Sequence, residues 1–247
     1  MKRFRAELHL HTVHSACAEV EMIPPLIVQR AMDDGINLIA VTDHNATANI
    51  AAVQKAALGY NLTVLPGMEV QTREDVHCLC LFDTLEQAAA WQAVVDAHLP
   101  NLVNRPDFFG EQYVVDETGD FIRSETRLLA ISTNISLDDA CRQVTELGGL
   151  FIPAHVNRTT NGLLPILGFV PQGIPIAALE ISLHITPDQA LSQFPQIAGY
   201  PLIQNGDVHM LDSMLGANEF FLEDVSIAEI RQALKQENGR SHKILLT

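Results

Sequence analysis

Residues 5–44 decide the fold. They open on Arg5-Ala6-Glu7-Leu8-His9-Leu10-His11, close on Leu38-Ile39-Ala40-Val41-Thr42-Asp43-His44, and carry Pro24-Pro25-Leu26-Ile27-Val28 running to Gly35 between the two. Short apolar runs on either side of a helical pattern that starts on proline and stops on glycine make a strand–helix–strand unit. The same grammar continues along the chain. With 5–10 and 38–42, strands are expected at 62–66, 77–82, 150–154, 177–182 and 202–205, about seven in all. Further helices are expected at 48–58, 84–98, 136–147 and 226–236, with Ser136 and Gly148-Gly149 as caps of the third. Alternating strands and helices predict an α/β protein with a largely parallel sheet.

Two places depart from that alternation. Residues 99–133 read as an insertion whose segments 112–116 and 120–123, around Glu117-Thr118-Gly119, form a β-hairpin. Only Thr72-Arg73-Glu74-Asp75 separates Glu69-Val70 from Val76-His77, too short for a parallel crossover. These strands should pair as a hairpin, which brings Glu69 and His77 to one end of the sheet. No linker-like stretch divides the chain, so residues 1–247 are read as a single domain.

Fifteen Lys+Arg against 30 Asp+Glu give a formal charge of −15. That balance argues against an extended duplex DNA partner or an anionic membrane surface, and leaves a small phosphorylated substrate as the expected partner. The apolar runs are shorter than a membrane span, and Met1-Lys2-Arg3-Phe4-Arg5-Ala6-Glu7 lacks the apolar core of a secretory signal, so a cytoplasmic protein is expected. Cys17, Cys78, Cys80 and Cys141 form no disulfide framework; oligomeric state is left open.

His9 and His11, two apart in an extended strand, project to one face. One such pair says little, but other strands also end on nitrogen or oxygen ligands: Thr42-Asp43-His44, Gly67-Met68-Glu69, Val76-His77, Pro153-Ala154-His155 and Gly206-Asp207-Val208-His209. Strand ends meet at one end of an α/β sheet or barrel, so these scattered positions become one spatial cluster.

The ordered set His9-x-His11, Thr42-Asp43-His44, Gly67-x-Glu69, His77, Ala154-His155 and Asp207-x-His209 resembles the polymerase and histidinol phosphatase (PHP) family of metal-dependent phosphoesterases. The resemblance spans nearly the whole chain. It implies a distorted (β/α)7 barrel, two or three divalent metal ions (Zn, Mn or Fe) and hydrolysis of a phosphoester. It also implies that His9, His11, Glu69 and Asp207 hold one metal. Glu69 would bridge to a second held by His77 and His155, with His44 and His209 serving a third. Five or six residues beyond His11 the family supplies Asp or His, whereas Ala16 and Cys17 stand here. Cys17 as a thiolate, or Glu19 or Glu21, would have to complete the third site.

A phosphoester is anionic and repels hydroxide; bound metals offset its charge and lower the pKa of water, which is the chemistry such a cluster offers. Glu69, Asp207 and Arg158 are the residues expected to act in catalysis. Arg158 would fork onto phosphate or pair with a site carboxylate. Asp43 would orient His44, His14 and His184 are candidates for proton delivery, and Asn205 is read as a bystander. Expected substrates are a nucleotide, a short oligonucleotide or a sugar or amino-alcohol phosphate. Two rivals stand beside this reading: an amidohydrolase-type C–N or C–O hydrolase, and a metal-loaded binding domain without activity. No phosphate-binding Gly-rich loop and no Gly-x-Ser-x-Gly elbow is present.

Overall fold

The computed structural model describes residues 1–245. Strand β1 (Lys2–Leu10) leads to α1 (Pro24–Asp33), β2 (Leu38–Val41), α2 (Ile50–Ala56), β3 (Thr63–Gln71) and β4 (His77–Leu81). Then come α3 (Leu85–His98), α4 (Pro106–Phe109), β5 (Tyr113–Val115), β6 (Phe121–Ser124), α5 (Leu137–Glu146) and β7 (Leu150–Pro153). The remainder is α6 (Leu163–Leu167), β8 (Leu179–Ile181), α7 (Pro187–Gln193), β9 (Leu202–Gln204), β10 (Asn218–Leu222), α8 (Ile227–Leu234) and β11 (Ser241–Ile244). Caps fix several helix starts. Thr84 and Gln87 form a reciprocal capping box on α3, and the hydroxyls of Ser136 and Ser226 accept from Asp139 and Glu229 N–H at the heads of α5 and α8.

Mixed α/β architecture is observed, with a curled half-barrel sheet of order β11-β10-β1-β2-β3-β4-β7 and a separate parallel pair β8-β9. The expectation of a largely parallel sheet is corrected: only β1-β2 and β2-β3 run parallel within the large sheet, while β10 and β11 join its edge antiparallel. Those two edge strands escaped the sequence reading. β3 is one continuous strand, not two short ones. It pairs parallel with β2 over Thr63–Pro66, then antiparallel with β4 over Gly67–Gln71. The change of partner falls on Gly67, where an added Cβ would lie 2.9 Å from both Thr42 Cγ2 and the Val41 carbonyl oxygen. The hairpin across Thr72–Asp75 follows, with Gln71 opposite His77. Within residues 99–133, β5 and β6 pair antiparallel, Tyr113 opposite Ser124.

The two faces of the sheet bury separate cores. Phe4, Ala6, Leu8, Leu38, Ala40, Leu65, Leu79, Leu81, Leu150 and Ile152 fill the concave side, plugged by Ile227, Ile230 and Leu234 of α8. On the other face Ile39, Val41, Val64, Met68, Val70, Cys78, Cys80 and Phe151 meet the apolar stripes of α1, α2, α3 and α5. A β-bulge between Glu7 and Leu10 interrupts the pairing of β1 with β2. Before it, even-numbered Phe4, Ala6 and Leu8 face the concave core; after it, Leu10 belongs to the helix-covered core. The bulge thereby turns odd-numbered His9 and His11 onto the concave side.

Candidate metal centre

Six strands deliver the site. His9 and His11 follow the bulge of β1, His44 follows β2, Glu69 lies in the partner-switching half of β3, and His77 starts β4. His155 follows β7, and Asp207 and His209 follow β9. Glu69 sits at the centre with its side chain about 1 % exposed. Its Oε1 lies 2.8 Å from His77 Nδ1, 3.3 Å from His9 Nε2 and 3.3 Å from His155 Nε2. Its Oε2 lies 2.9 Å from His44 Nδ1 and 3.4 Å from His11 Nε2. Asp207 Oδ1 approaches His9 Nε2 at 3.2 Å, and His11 Nε2 and His209 Nδ1 at 3.4 Å.

Ligand atoms converge in three groups: His9, His11, Glu69 and Asp207; His44, Glu69 and His77; and His11, His44 and His209. His155 touches Glu69 but belongs to none of the three. The backbone is bent to deliver two of these residues, since His155 and Asp207 adopt φ of 27° and 49°. Left-handed conformations at non-glycine residues cost about 1–3 kcal/mol each and persist where the surroundings hold them.

Outer partners fix which ring nitrogen faces the centre. His9 Nδ1 donates to Glu180, 3.0 Å from Oε2 and 3.1 Å from Oε1, and because a carboxylate only accepts, Nε2 is the nitrogen that carries the lone pair in the neutral, metal-binding form of the ring. Ser15 donates its single proton to Asp43 Oδ1 at 2.7 Å, so it accepts from His11 Nδ1 at 2.9 Å and leaves His11 Nε2 bare as well. His9 Nε2, His11 Nε2, His77 Nδ1, Glu69 Oε2 and Asp207 Oδ1 are buried without a hydrogen-bond partner. Buried lone pairs of imidazole and carboxylate aimed at one another, each orphaned, are the donor set that a divalent cation satisfies. The residues fit divalent metal ions.

Electrostatics follow from the same contacts. Burial by itself would raise the Glu69 carboxyl, but His77, His9 and His44 around it hold it well below the usual carboxylate range. Burial would likewise lower His9, yet Glu180, Asp207 and Glu69 together raise it well above the ordinary imidazole value. For His77 burial wins, taking it down to about 4; for His44 Glu69 overrides burial and takes it up to about 9. Asp207 is driven below the usual range against its burial, chiefly by His9 and His11.

Glu180 is the residue the sequence reading missed. It is buried in β8, accepts from His155 N–H at 2.8 Å and from Asn205 Nδ2 at 2.7 Å, and so organises both His9 and His155. A lone carboxylate in the apolar run Ala177-Ala178-Leu179-Glu180-Ile181 was the available signal. Asn205 is therefore no bystander. The role expected of Asp43 is also corrected: its oxygens take Thr12 N, Thr12 Oγ1 and Ser15 Oγ, all at 2.7 Å, so it shapes the 12–15 turn behind His11 and makes no bond to the His44 ring.

Around the rim, Arg158 Nη1 pairs with Asp207 Oδ2 at 2.6 Å, the carboxylate contact among its two expected roles, and leaves other N–H groups for the second. A cavity of about 100 Å³ opens beside it, lined by His155, Arg158, Ser182, His184 and Asp207. His184 is exposed there, while His14 is buried and lowered chiefly by that burial. Cys17 is exposed and lies beside His44, outside the three ligand groups. Residues 99–133 pack beside the segment that follows His44. Asn45 Nδ2 donates to the Leu129 and Ile131 carbonyls at 2.7 and 2.8 Å, and Asn49 Nδ2 donates to Tyr113 O at 3.0 Å.

Known proteins resemble this chain in family and in fold. The model of the PHP domain family matches residues 7–152, more than half of the chain. The Bacillus subtilis (strain 168) protein YqxK is 23% identical over 255 residues, which cover 97% of this chain and 64% of YqxK. The lesion-specific endonuclease PfuEndoQ from Pyrococcus furiosus superposes with a TM-score of 0.73 at 20% identity, over 98% of this chain and 58% of that one. Endonuclease Q in complex with a 27-mer duplex substrate, an abasic lesion at its active site, gives 0.69 at 22% identity over 96% of this chain and 57% of that one. The chain thus spans less than two thirds of the length of these relatives.

That last structure overturns the exclusion of extended duplex DNA drawn from the −15 charge, because a protein of this fold holds a duplex. Net charge sums the whole surface, whereas a nucleic acid meets one local potential, which bound cations can invert. Among the described residues no helix is long and apolar enough to cross a membrane.

Proposed function

We propose, from the premise that this chain belongs to the PHP domain family, that it is a metal-dependent hydrolase of phosphoester bonds, with residues 1–247 acting as one unit. The observation that carries this reading is the set of orphaned lone pairs on His9, His11, His77, Glu69 and Asp207. Divalent cations bound there supply charge neutralisation of the phosphate and a lowered pKa for water. His9, His11, Glu69 and Asp207 would hold one cation and His44, Glu69 and His77 a second, sharing Glu69, while His11, His44 and His209 offer a third position.

The chain's own residues do the rest. Glu180 and the Ser15–Asp43 pair keep the Nδ1 protons of His9 and His11 away from the centre. Arg158, anchored on Asp207 through Nη1 and on the Thr160 carbonyl through Nε, lines the adjoining cavity, where its free N–H groups can meet a phosphate oxygen. His184 on the rim of that cavity is placed to hand a proton to a departing oxygen. A nucleotide, an oligonucleotide or a sugar phosphate all present the group this arrangement addresses.

Elemental analysis after reconstitution with Zn²⁺ or Mn²⁺, with turnover of a chromogenic phosphodiester and monoester, tests the reading. Two or three ions per chain and metal-dependent hydrolysis are expected. Glu69→Gln should stay folded and lose hydrolysis, because an amide cannot neutralise two cations. Folded protein that takes up no metal, or activity of Glu69→Gln within tenfold of the parent, overturns it.

A further inference from the structure

The segment packed beside the metal-ligand loops carries an aromatic pair that packing does not explain. Phe108 and Phe109 of α4 are 73% and 36% exposed, their rings edge to face at 4.7 Å. Arg105 lays its guanidinium over both, 5.1 Å from the Phe108 centroid and 5.7 Å from that of Phe109. The other arginines of this segment, Arg123 and Arg127, are tied to Glu125; Arg105 faces rings instead of a carboxylate.

The position of this group is fixed against the metal ligands. Gly110, directly after Phe109, lies so close to the loop behind His11 that an added Cβ would sit 2.4 Å from the Ala16 carbonyl oxygen. Ser15 on one side of Ala16 touches His11 Nδ1 and His44 N, and Cys17 on the other lies beside His44. Asn104 Nδ2 donates to Gly110 O at 2.9 Å and closes the turn that holds the aromatics outward. A solvent-facing π surface with an uncommitted guanidinium, one short loop from a phosphate-binding centre, matches a ligand that joins a flat aromatic ring to a phosphodiester.

We propose that Phe108, Phe109 and Arg105 form a stacking platform for an unpaired nucleobase, so that the substrate class of this metal centre is a nucleic-acid strand. This rests on the phosphoester hydrolase reading above. Every base offers a π face, so the platform accepts any sequence, while Arg105 adds attraction to the base or its flanking phosphate. A paired base has no free face for it; single-stranded, mismatched or abasic-flanking nucleotides do.

The test separates base binding from hydrolysis. A phosphorothioate-linked single strand carrying 2-aminopurine, which resists cleavage, is titrated with the metal-reconstituted full chain, and turnover of the chromogenic phosphodiester is followed in parallel. Expected are quenching of the 2-aminopurine on binding, a loss of affinity of about tenfold or more in Phe108→Ala/Phe109→Ala, and unchanged chromogenic turnover. Arg105→Gln should weaken binding further at low salt than at high salt. Quenching absent in the parent, or affinity in the double variant within twofold of it, overturns the platform even where the chromogenic ester is hydrolysed. Self-association lost in the double variant without any effect on strand affinity also overturns it, by assigning the aromatics to a contact between copies. Failure to hydrolyse either chromogenic ester counts against the parent reading alone.

Discussion

Replacing Glu180 with glutamine changes one atom and should loosen the whole metal centre. The carboxylate serves three donors: His9 Nδ1 shared between both oxygens, Asn205 Nδ2 at 2.7 Å on Oε1, and His155 N at 2.8 Å on Oε2. A glutamine must turn its NH2 towards either Asn205 or His155. Asn205 cannot flip to accept it, because its Oδ1 already takes Leu8 N at 2.8 Å and Asn218 Nδ2 at 2.9 Å. His155 N–H cannot accept at all. One buried donor is therefore left facing another, a loss of about 1–3 kcal/mol of folding stability. His9 loses its ionised partner at the same time, and removal of such partners of metal-bound histidines weakens metal affinity by about 10- to 100-fold. Competition of the reconstituted protein with a chromogenic chelator reads the second effect, and urea unfolding of the metal-free protein reads the first. Metal affinity within twofold of the parent together with an unchanged unfolding midpoint would refute the argument that Glu180 holds the ligands in place.

Arg158→Ala should leave metal stoichiometry unchanged while raising KM for a phosphodiester about tenfold, since a guanidinium–phosphate fork is lost; steady-state kinetics with elemental analysis check it. Gly67→Ala should cost about 1–3 kcal/mol, because a Cβ 2.9 Å from Val41 O and Thr42 Cγ2 must part β2 from β3 beside His44 and Glu69; denaturant unfolding gives the value. Burial lowers His242 from 6.5 to about 4. The unfolded chain thus takes up a proton before the folded one, and stability that is full above pH 6.5 is lost as pH falls towards 4, by at most about 3 kcal/mol. His242→Gln should remove that part of the difference between unfolding at pH 7 and at pH 4.5. Cys17 is the exposed thiol, with Cys78, Cys80 and Cys141 buried, so thiol labelling of native protein should modify one residue per chain. Rates within about threefold with and without Zn²⁺ agree with its place outside the ligand groups; strong protection by the metal would make it a ligand.

Much of the architecture was legible because local rules specified it. Pro24-Pro25 and Gly35 bracket α1, Thr84 with Gln87 starts α3, and the short Thr72–Asp75 connection enforces the β3-β4 hairpin that sets His77 against Glu69. Strands β10 and β11 were not legible, since their place at the sheet edge depends on pairing across more than 200 residues, Lys2 with Leu222. Glu180 escaped for a related reason. Its partners His9, His155 and Asn205 come from three other segments, and a buried carboxylate has meaning only once those donors surround it. Duplex DNA was excluded on net charge, a sum that is blind to where the charges sit.

The spacing of His9 and His11 determined, with no tertiary information, that both imidazoles share one face of an extended strand, because side chains alternate with a period of two residues. Which face that is, the spacing could not say. Phe4, Ala6 and Leu8 fill the concave core, so an unbroken alternation would have sent both histidines to the helix-covered side. The bulge between Glu7 and Leu10 inserts one residue into β1 relative to β2, reverses the alternation and aims both rings at Glu69. That choice belongs to the tertiary structure: a bulge is a property of two paired strands, and the partner strand, β2, lies some thirty residues further along the chain.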